Sequence, residues 1–410
     1  MDIGAFGIYI CLFIGLYFEV FLLISFLERR PEVKSAATPK RYPSVSILVP
    51  SFNEEKTIAG TLQSLLDLTY PKDKLEIVVI NDGSKDKTAE IAARFAAEHP
   101  QIKLLNKENG GKYTALNVGI EHSSAELIGC LDADSFVAKD ALVEAVKQFE
   151  TDSSIMAITP AMKVYQPRKV LELMQSVEYM FGIFYKKMFD NLSAINVLPG
   201  PFSIYKSDVF RKIGGFKHAH NTEDMEITFR MHAHGLRIAN AHTALVYTTV
   251  PNTVAALVKQ RTRWSQGFLQ NSRDYSYMFF NPRFGNFGML VLPFGLIAFC
   301  AGLYTASYAL YRAVSFVLTR ALDMFATHIP PHLSTPHLQW FYINTSMMTF
   351  LVITVLGMTF VAIFLGQHIT KSRLSITSFV SYFVLFGLIA PLWLARAAWG
   401  ALRAQESAWR

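Results

Sequence analysis

The apolar residues of this 410-residue chain are concentrated near its two ends. The segment Ile3–Leu27 carries one ionisable side chain, Glu19. At about 1.5 Å per helical residue it is long enough to cross a hydrocarbon core of about 30 Å. Further candidates lie at 287–311, 342–365 and 376–394, and the first of these stays apolar to residue 318, so it could tilt or break. The pattern predicts four membrane spans.

Between these spans the pattern changes. In residues 40–286, short runs of Val, Ile and Leu alternate with amphipathic stretches such as 89–98. This alternation is typical of an α/β domain. The sequence therefore predicts an N-terminal transmembrane helix (1–28), an α/β domain (40–286), about three C-terminal transmembrane helices (287–398) and a tail (399–410).

Basic residues near the predicted spans indicate the orientation of the chain. They follow the first span and also occupy the short loop between the last two spans, which places both regions on the cytoplasmic side. The arginines near the C-terminus would then lie outside, and an error in the number of spans is the simplest explanation of this conflict. The residues concerned are Arg29, Arg30, Lys34, Lys40 and Arg41, then Lys371 and Arg373, and finally Arg396, Arg403 and Arg410.

The composition narrows the function classes. Hydrophobic residues make up 51% of the chain and charged residues only 17%, and the net charge of +7 fits a protein on anionic lipid that handles nucleotide diphosphates. Nucleic-acid binding fits less well, because the basic residues are scattered. Cys11, Cys130 and Cys300 are too dispersed for a disulfide framework or a cysteine-based zinc site. The histidines between 328 and 337 lack a known ligand spacing, which favours an exposed connector.

Polar residues follow the first two predicted strands of the α/β domain. The apolar run 46–50 stops at Pro50, and residues 51–54 lead into a helical pattern over 54–68, so Asn53 and Glu54 belong to the loop where open parallel sheets bind ligands. The second strand, 76–81, ends at Asp82, whose carboxylate can reach a base or ribose. An ordinary Asp-Gly turn is the alternative at Asp82.

A glycine-rich turn comes next, at 109–117. Lys112 stands near the start of the helix that this turn opens, where it opposes the helix dipole unless an anion lies close by. Contact with a diphosphate is therefore plausible. The segment is not a phosphate-binding P-loop, because Gly-x-x-x-x-Gly-Lys is absent.

Two acids follow the next buried strand. Asp132 and Asp134 are separated by one residue, and in an extended segment such residues point to the same side. Both carboxylates can then approach one divalent cation, and hard oxygen ligands suit Mg²⁺ or Mn²⁺, with the phosphates of a nucleotide completing the shell. A solvated turn is the alternative.

Two later segments carry candidate chemistry on helices. In 221–224, Asn221 is a good N-cap and the acids Glu223 and Asp224 suit a first turn, but a carboxylate here can also act as a general base. In 260–264, Gln260, Arg263 and Trp264 share one helix face, where an Arg can pair with a diphosphate and an indole can stack on a sugar. An interfacial helix would carry the same residues.

Taken in order, these motifs between residues 45 and 264 resemble the family 2 glycosyltransferases of GT-A fold. Within that family the chain looks most like the membrane-embedded processive synthases of hyaluronan, chitin, chito-oligosaccharide, poly-N-acetylglucosamine and cellulose. The resemblance makes Asp82 the nucleoside-binding acid, Asp134 the metal ligand beside Asp132, and Asp224 the catalytic base. Gln260, Arg263 and Trp264 match the Gln-x-x-Arg-Trp signature of the processive enzymes.

The resemblance implies further roles. Lys112 should face the diphosphate, together with Pro50, Asn53 and Glu54 on the donor side. The loop 198–203, which contains Gly200, resembles the acceptor-side loop, and Glu223 and Trp264 should contact the acceptor. The segment 169–189 resembles an interface helix. Pro201 departs from the pattern because it stiffens a loop that must admit an acceptor.

The expected function is that of an inverting β-glycosyltransferase at the cell membrane, with its catalytic domain in the cytoplasm. It would use a UDP-sugar, with UDP-N-acetylglucosamine as first choice, to extend a polysaccharide. Membrane lipids are expected partners, together with an export or accessory subunit, and nucleic acid is not. The alternatives are an enzyme that adds one sugar to a lipid and an inactive scaffold or export subunit.

Glu19 is the one acid in a predicted span. A membrane carboxyl is a functional candidate by default. A protonated or hydrogen-bonded packing residue is the favoured interpretation, because Glu19 can lie near an interface.

Overall fold

A computed structural model describes residues 3–28, 38–328 and 346–403. The histidine segment 329–337 lies outside the described residues, as do Arg29, Arg30, Lys34 and Arg410. The described residues therefore include the whole α/β domain and most of each predicted span.

The α/β domain is built on one eight-stranded sheet, in the order β3-β2-β1-β4-β7-β6-β8-β5. The first four strands of this order are parallel, whereas β7 pairs antiparallel with both β4 and β6. β1 and β2 are rich in Val, Ile and Leu and are buried on both faces, as expected of parallel strands covered by helices. The strands are β1 (Val45–Ser51), β2 (Leu75–Asp82), β3 (Ile102–Lys107), β4 (Leu127–Cys130), β5 (Ser135–Val137), β6 (Ile155–Val164), β7 (Ser203–Lys206) and β8 (Arg237–Thr248).

Helices cover both faces of the sheet and extend from it. The first helix of the domain begins at Ile58, later than the predicted 54, because the residues before it form a turn in which the Thr57 amide donates to the Glu54 carbonyl (3.1 Å). The helices are α1 (Ile3–Leu27), α2 (Ile58–Leu66), α3 (Thr88–Glu98), α4 (Lys112–His122), α5 (Ala141–Thr151), α6 (Val170–Asn191), α7 (Ser207–Ile213), α8 (Glu223–Ala233), α9 (Val254–Asp274), α10 (Leu292–Thr327), α11 (Met347–Ile369) and α12 (Ile376–Leu402).

The order of the strands fixes where a ligand can bind. β1 lies between β2 and β4, so the chain winds outward from β1 in both directions. The carboxyl ends of these strands open into a crevice at that switch point, the usual binding place in open α/β sheets. The segments following β1, β2 and β4 all reach this edge.

Among the described residues, four helices are long and apolar enough to cross a membrane: α1, α11, α12, and α10 together with the π-helical turn that precedes it. α1 and α10 run antiparallel, with the Tyr304 hydroxyl donating to the Gly4 carbonyl (2.8 Å) and the rings of Phe18 and Phe294 stacked. α10 continues to Thr327 without the break that its length had allowed.

Glu19 faces α11 from within α1. Its Oε1 accepts a hydrogen bond from the Thr359 hydroxyl (3.3 Å), and its Oε2 is buried without a partner among the described residues. The adjoining space is only about 10 Å³ and is lined largely by apolar side chains. This environment agrees with a packing residue.

The last helix packs along the α/β domain for its whole length. Just before it begins, the Thr370 carbonyl accepts a hydrogen bond from Lys163 of β6 (3.3 Å). Its middle, around Trp393, shares a buried cluster with α6 and α9. Near its end, a Cβ on Gly400 would lie 2.7 Å from the side-chain oxygen of Gln266 in α9. Both ends of α12 therefore lie beside the domain.

This packing predicts that the loop before α12 and the segment after it lie on the same side of the membrane as the α/β domain. The test places single cysteines in a variant without the native cysteines and treats intact cells with an impermeant thiol reagent. Cysteines at Ser372 and Arg403 should give the same result as a cysteine at Ser154 of the α/β domain. A cysteine at Thr327, the far end of α10, should give the opposite result. Labelling of position 403 together with 327 would mean that α12 crosses the bilayer.

Candidate functional site

A cavity of about 1020 Å³ lies at the carboxyl ends of β1, β2 and β4. Segments distant in sequence line it: the loops after these strands and after β3, the loop 197–201, the end of β8, the start of α8, and residues of α6 and α9. Of the residues singled out in the sequence, all but Asn53 line this cavity: Pro50, Glu54, Asp82, Lys112, Asp132, Asp134, Gly200, Glu223, Asp224, Gln260, Arg263 and Trp264. Asn53 instead accepts from the Lys85 amide (2.9 Å) and points at a neighbouring turn.

Asp82 is held by the glycine-rich loop. Its carboxylate accepts hydrogen bonds from the amides of Gly110 and Gly111 (both 3.0 Å) and pairs with Lys107 (2.6 Å). The side chain is buried, so the ion pair and both amides compensate for its lost hydration. Asp82 therefore fixes the loop that leads to Lys112.

Lys112 joins the two halves of the cavity. Its ammonium lies 2.5 Å from Asp132, after β4, and 3.2 Å from Glu223, at the start of α8. Burial alone would lower the pKa of Lys112, but the carboxylates of Asp132 and Glu223 outweigh burial and raise that pKa above its ordinary value. The amine therefore stays charged at neutral pH.

Gly200 lies directly against this ion pair. A Cβ at this position would lie 2.4 Å from the Lys112 amine and 2.6 Å from the Asp132 carboxylate. Any side chain would force both groups to move. The loop 198–203 therefore needs glycine here for a steric reason that the sequence did not reveal.

Asp134 has a different environment from Asp132. Its carboxylate accepts long hydrogen bonds from the hydroxyls of Ser135 (3.2 Å) and Thr249 (3.3 Å). Within the described residues, no group of three or more His, Cys, Asp or Glu side chains gathers to hold a metal. A cation here would need oxygen ligands from its substrate, which suits Mg²⁺ with nucleotide phosphates.

Asp224 begins α8 at the cavity wall. Burial and the neighbouring Glu223 carboxylate raise its pKa to about 6, against the opposing attraction of Lys112 and Arg263. The N-cap of α8 is Thr222, and the prediction that Asn221 has this role is wrong. Asn221 has a left-handed backbone (φ 60°) that local sequence rules did not indicate.

The three signature residues of α9 face the cavity with different partners. Gln260 has a buried side-chain oxygen without a hydrogen-bond partner among the described residues, as expected of a group that awaits a ligand. Arg263 donates to the Asn221 carbonyl (2.8 Å). The guanidinium of Arg261 lies 4.1 Å from the Trp264 ring centroid and pairs with Glu178 (3.0 Å). Arg261 thus covers one face of the indole.

Sequence reasoning missed the contribution of α6. Tyr179 and Lys186, seven residues apart and therefore on one face of this helix, line the cavity together with Glu178. The Lys186 amine donates to the Thr159 hydroxyl (3.0 Å), and burial lowers its pKa to about 7, partly offset by the nearby Asp224 carboxylate. A lysine inside an apolar helical stretch was the available signal.

The sequence and the fold of this chain both resemble known glycosyltransferases. Residues 46–214 match the family model described as glycosyl transferase family 2. The chain is 33% identical over 273 residues to a poly-beta-1,6-N-acetyl-D-glucosamine synthase of Staphylococcus epidermidis, covering 65% of this chain and 66% of that protein. Residues 46–214 are therefore a family 2 glycosyltransferase domain. The alignment thus spans slightly less than two thirds of that relative.

Two other matches agree with this family. A synthase of the same name from Staphylococcus aureus is 33% identical over 242 residues, covering 59% of this chain and 57% of that protein. A mannosyltransferase from Pyrobaculum calidifontis, solved in complex with GDP-Man and Mn²⁺, superposes with a TM-score of 0.66 at 21% identity, covering 98% of this chain and 99% of that one. These findings confirm the predicted family and the GT-A fold with flanking apolar helices.

Proposed function

We propose that this chain is an inverting glycosyltransferase that extends a polysaccharide at the membrane from a UDP-sugar. The observation that carries the proposal is Asp224, a carboxylate with a raised pKa in a cavity that also contains Asp82, Lys112 and Trp264. A base, a diphosphate contact and a sugar-stacking ring are the groups that transfer to a hydroxyl requires. The names of the staphylococcal relatives support UDP-N-acetylglucosamine as the first choice of donor.

In the proposed reaction, the Asp224 carboxylate takes the proton of an acceptor hydroxyl. The hydroxyl oxygen forms a bond to the anomeric carbon on the face opposite UDP, and the bond from that carbon to the diphosphate oxygen breaks. Lys112 and Arg263 lie on the cavity wall where they can stabilise the charge on the departing UDP. Attack from the opposite face produces the inverted, β-configured product.

Asp134 and Asp132 fit a divalent cation of the Mg²⁺ or Mn²⁺ type. The Asp134 carboxylate accepts hydrogen bonds from the hydroxyls of Ser135 and Thr249, and Asp132 pairs with Lys112, so two carboxylates lie on the cavity wall where they could approach one cation. When bound, such a cation would supply positive charge to the diphosphate of the donor. With few protein ligands, its affinity should depend on the nucleotide.

The membrane arrangement follows from charge and packing. Lys40, Arg41, Lys371 and Arg373 lie next to the α/β domain, and short basic segments remain in the cytoplasm. The α/β domain is then cytoplasmic, at the cell membrane, and the tail after α12 lies there as well. An export or accessory subunit that receives the polymer is an additional expected partner.

Two alternatives remain distinct from this proposal. The first is a single transfer of sugar to a lipid, and the fold shared with a mannosyltransferase is compatible with it. The second is an inactive scaffold, against which the complete set of acids and Arg263 speaks. A panel of radiolabelled nucleotide sugars, added to membranes with Mg²⁺, Mn²⁺ or a chelator, separates all three. Polymer supports the proposal, a lipid with one sugar supports the first alternative, and no transfer supports the second.

Asp224→Asn should keep the affinity for UDP but lower transfer by about 10²-fold or more, the usual scale for loss of a general base. In the unchanged protein, ionised Asp224 is the active form, so the transfer rate should rise with pH, with a midpoint at the Asp224 pKa of about 6, and then level off. A bound cation would add positive charge and lower the pH of this midpoint. Initial rates from pH 5 to 8 measure the effect. Near-normal turnover of the Asn variant would return Asp224 to a helix-start role.

Trp264→Ala should shorten the polymer or abolish it while the affinity for the UDP-sugar persists, because the lost stacking contact acts on the acceptor. Such a contact is worth about 1 kcal/mol beyond the area it buries. Gel sizing of labelled product measures the effect, and Trp264→Phe is the matched control that retains an aromatic ring. Polymer of unchanged length from the Ala variant would contradict the stacking role.

A further inference from the structure

The catalytic helix α8 follows a strained turn. Ala219, His220 and Asn221 have φ angles of 42°, 56° and 60°. Left-handed backbone is unfavourable for residues with a Cβ, because the Cβ approaches the following carbonyl oxygen. Such conformations persist only where the surroundings enforce them. These residues, with Thr222, form the turn 219–222, which ends one residue before Glu223 and two before Asp224.

One face of α9 enforces this turn. Arg263 donates to the Asn221 carbonyl (2.8 Å), the Asn271 amide donates to the Thr222 hydroxyl oxygen (2.9 Å), and Asp274 pairs with His220 (2.9 Å). The three α9 residues recur at spacings of eight and three, which aligns them along one side of the helix.

Gly267 completes this face. It lies one turn after Arg263 and one turn before Asn271. A Cβ at Gly267 would lie 2.3 Å from the methyl group of Thr222 and 2.5 Å from its hydroxyl oxygen. The turn therefore packs directly on the backbone of α9, closer than any side chain would allow.

We propose that this face of α9, the α9 clamp formed by Arg263, Gly267, Asn271 and Asp274, is a positioning device for Asp224. The clamp holds the turn 219–222 in its left-handed form and so sets where α8 begins. This inference rests on the proposed function, because it gives the clamp a role in transfer. Gly267 and Asn271 do not line the cavity, and Asn271 is fully buried, so they act through the turn.

The clamp connects two tasks within one helix. α9 presents Gln260 and Trp264 to the cavity and holds the turn of Asp224 with the next residues of the same helix. Acceptor and base are then held at one relative position by a rigid element. Such alignment matters, because a misplacement of about 1 Å can lower a rate by about 10²-fold.

The test removes the buried hydrogen bond from either side. Asn271→Ala and Thr222→Val should each lower kcat by about 10-fold to 10²-fold while the KM for the UDP-sugar and the affinity for UDP stay within about twofold. The double variant should be little worse than Thr222→Val alone, because both single changes remove the same bond and Thr222→Val also removes the bond that the Thr222 hydroxyl donates to the Ala219 carbonyl (2.9 Å). Thr222→Ser, which keeps the oxygen, should recover most of the rate. Arg273→Ala, an exposed change on α9, is the control.

Hydrogen exchange gives a readout that does not need transfer. The amides of Asn221 and Thr222 donate to the carbonyls of His218 and Ala219 (both 3.0 Å). In Asn271→Ala, the peptide 217–225 should exchange faster, whereas peptides from β1 should keep their wild-type rates. If the wild-type protein transfers no sugar, the proposed function fails and this measurement still decides whether the clamp holds the turn.

Several results would overturn the clamp. Wild-type exchange over 217–225 in Asn271→Ala would mean that the turn holds itself. Normal kcat with faster exchange would mean that the turn does not position Asp224. Equal loss of kcat and UDP affinity in both single variants would indicate general unfolding, and Thr222→Ser as poor as Thr222→Val would show that the hydrogen bond is not the cause.

Discussion

The buried ion pair of Lys112 with Asp132 and Glu223 joins the parts of this cavity. Its three members come from the start of α4, the end of β4 and the start of α8. Two carboxylates this close would repel each other without the ammonium between them. Removing one partner of a buried pair commonly costs about 3–5 kcal/mol, because the remaining charge is left without compensation. The loop after β4 and the start of α8, which carries Asp224, are therefore held together by charge as well as by the sheet.

The helices outside the sheet connect the cavity with an exposed apolar surface. α6 and α9 supply one wall of the cavity, and α12 packs against both through a cluster around Met174, Leu257 and Trp393. The opposite side of α12 exposes large apolar residues such as Val384 and Leu388. A helix that is apolar on both sides can cover the α/β domain with one face and contact lipid with the other. α12 thus joins the wall of the cavity to an exposed apolar surface.

Much of this could be predicted from the sequence, because its signals are local. Asp82, Asp132 and Asp134 each follow the carboxyl end of a predicted parallel strand, so the sequence alone predicts that they are neighbours. The cavity brings them together as that rule requires. Helical spacing likewise placed Gln260, Arg263 and Trp264 on one face.

The rest depended on contacts between distant segments. The residues around Lys186 in the sequence do not indicate its contact with Thr159 or with the cavity. The residues around Asn271 likewise do not indicate its hydrogen bond to Thr222. The N-cap prediction at Asn221 failed because Asn221 has a left-handed backbone, and its carbonyl accepts a hydrogen bond from Arg263 of the distant helix α9. Hydropathy marks α12 as a candidate span, and it does not reveal the buried cluster that α12 shares with α6 and α9 of the α/β domain.

The charges of the cavity suggest how the proposed donor is accepted and released. Lys112 is already paired with Asp132 and Glu223, so a diphosphate gains this cation only by exchange. Asp132 and Asp134 would hold a divalent cation that supplies positive charge to the diphosphate, and Lys112 would then be released from Asp132 to the donor. Departure of the proposed product UDP would return the ammonium of Lys112 to Asp132 and Glu223. Such an exchange of partners, rather than an addition of charge, would limit how tightly UDP binds.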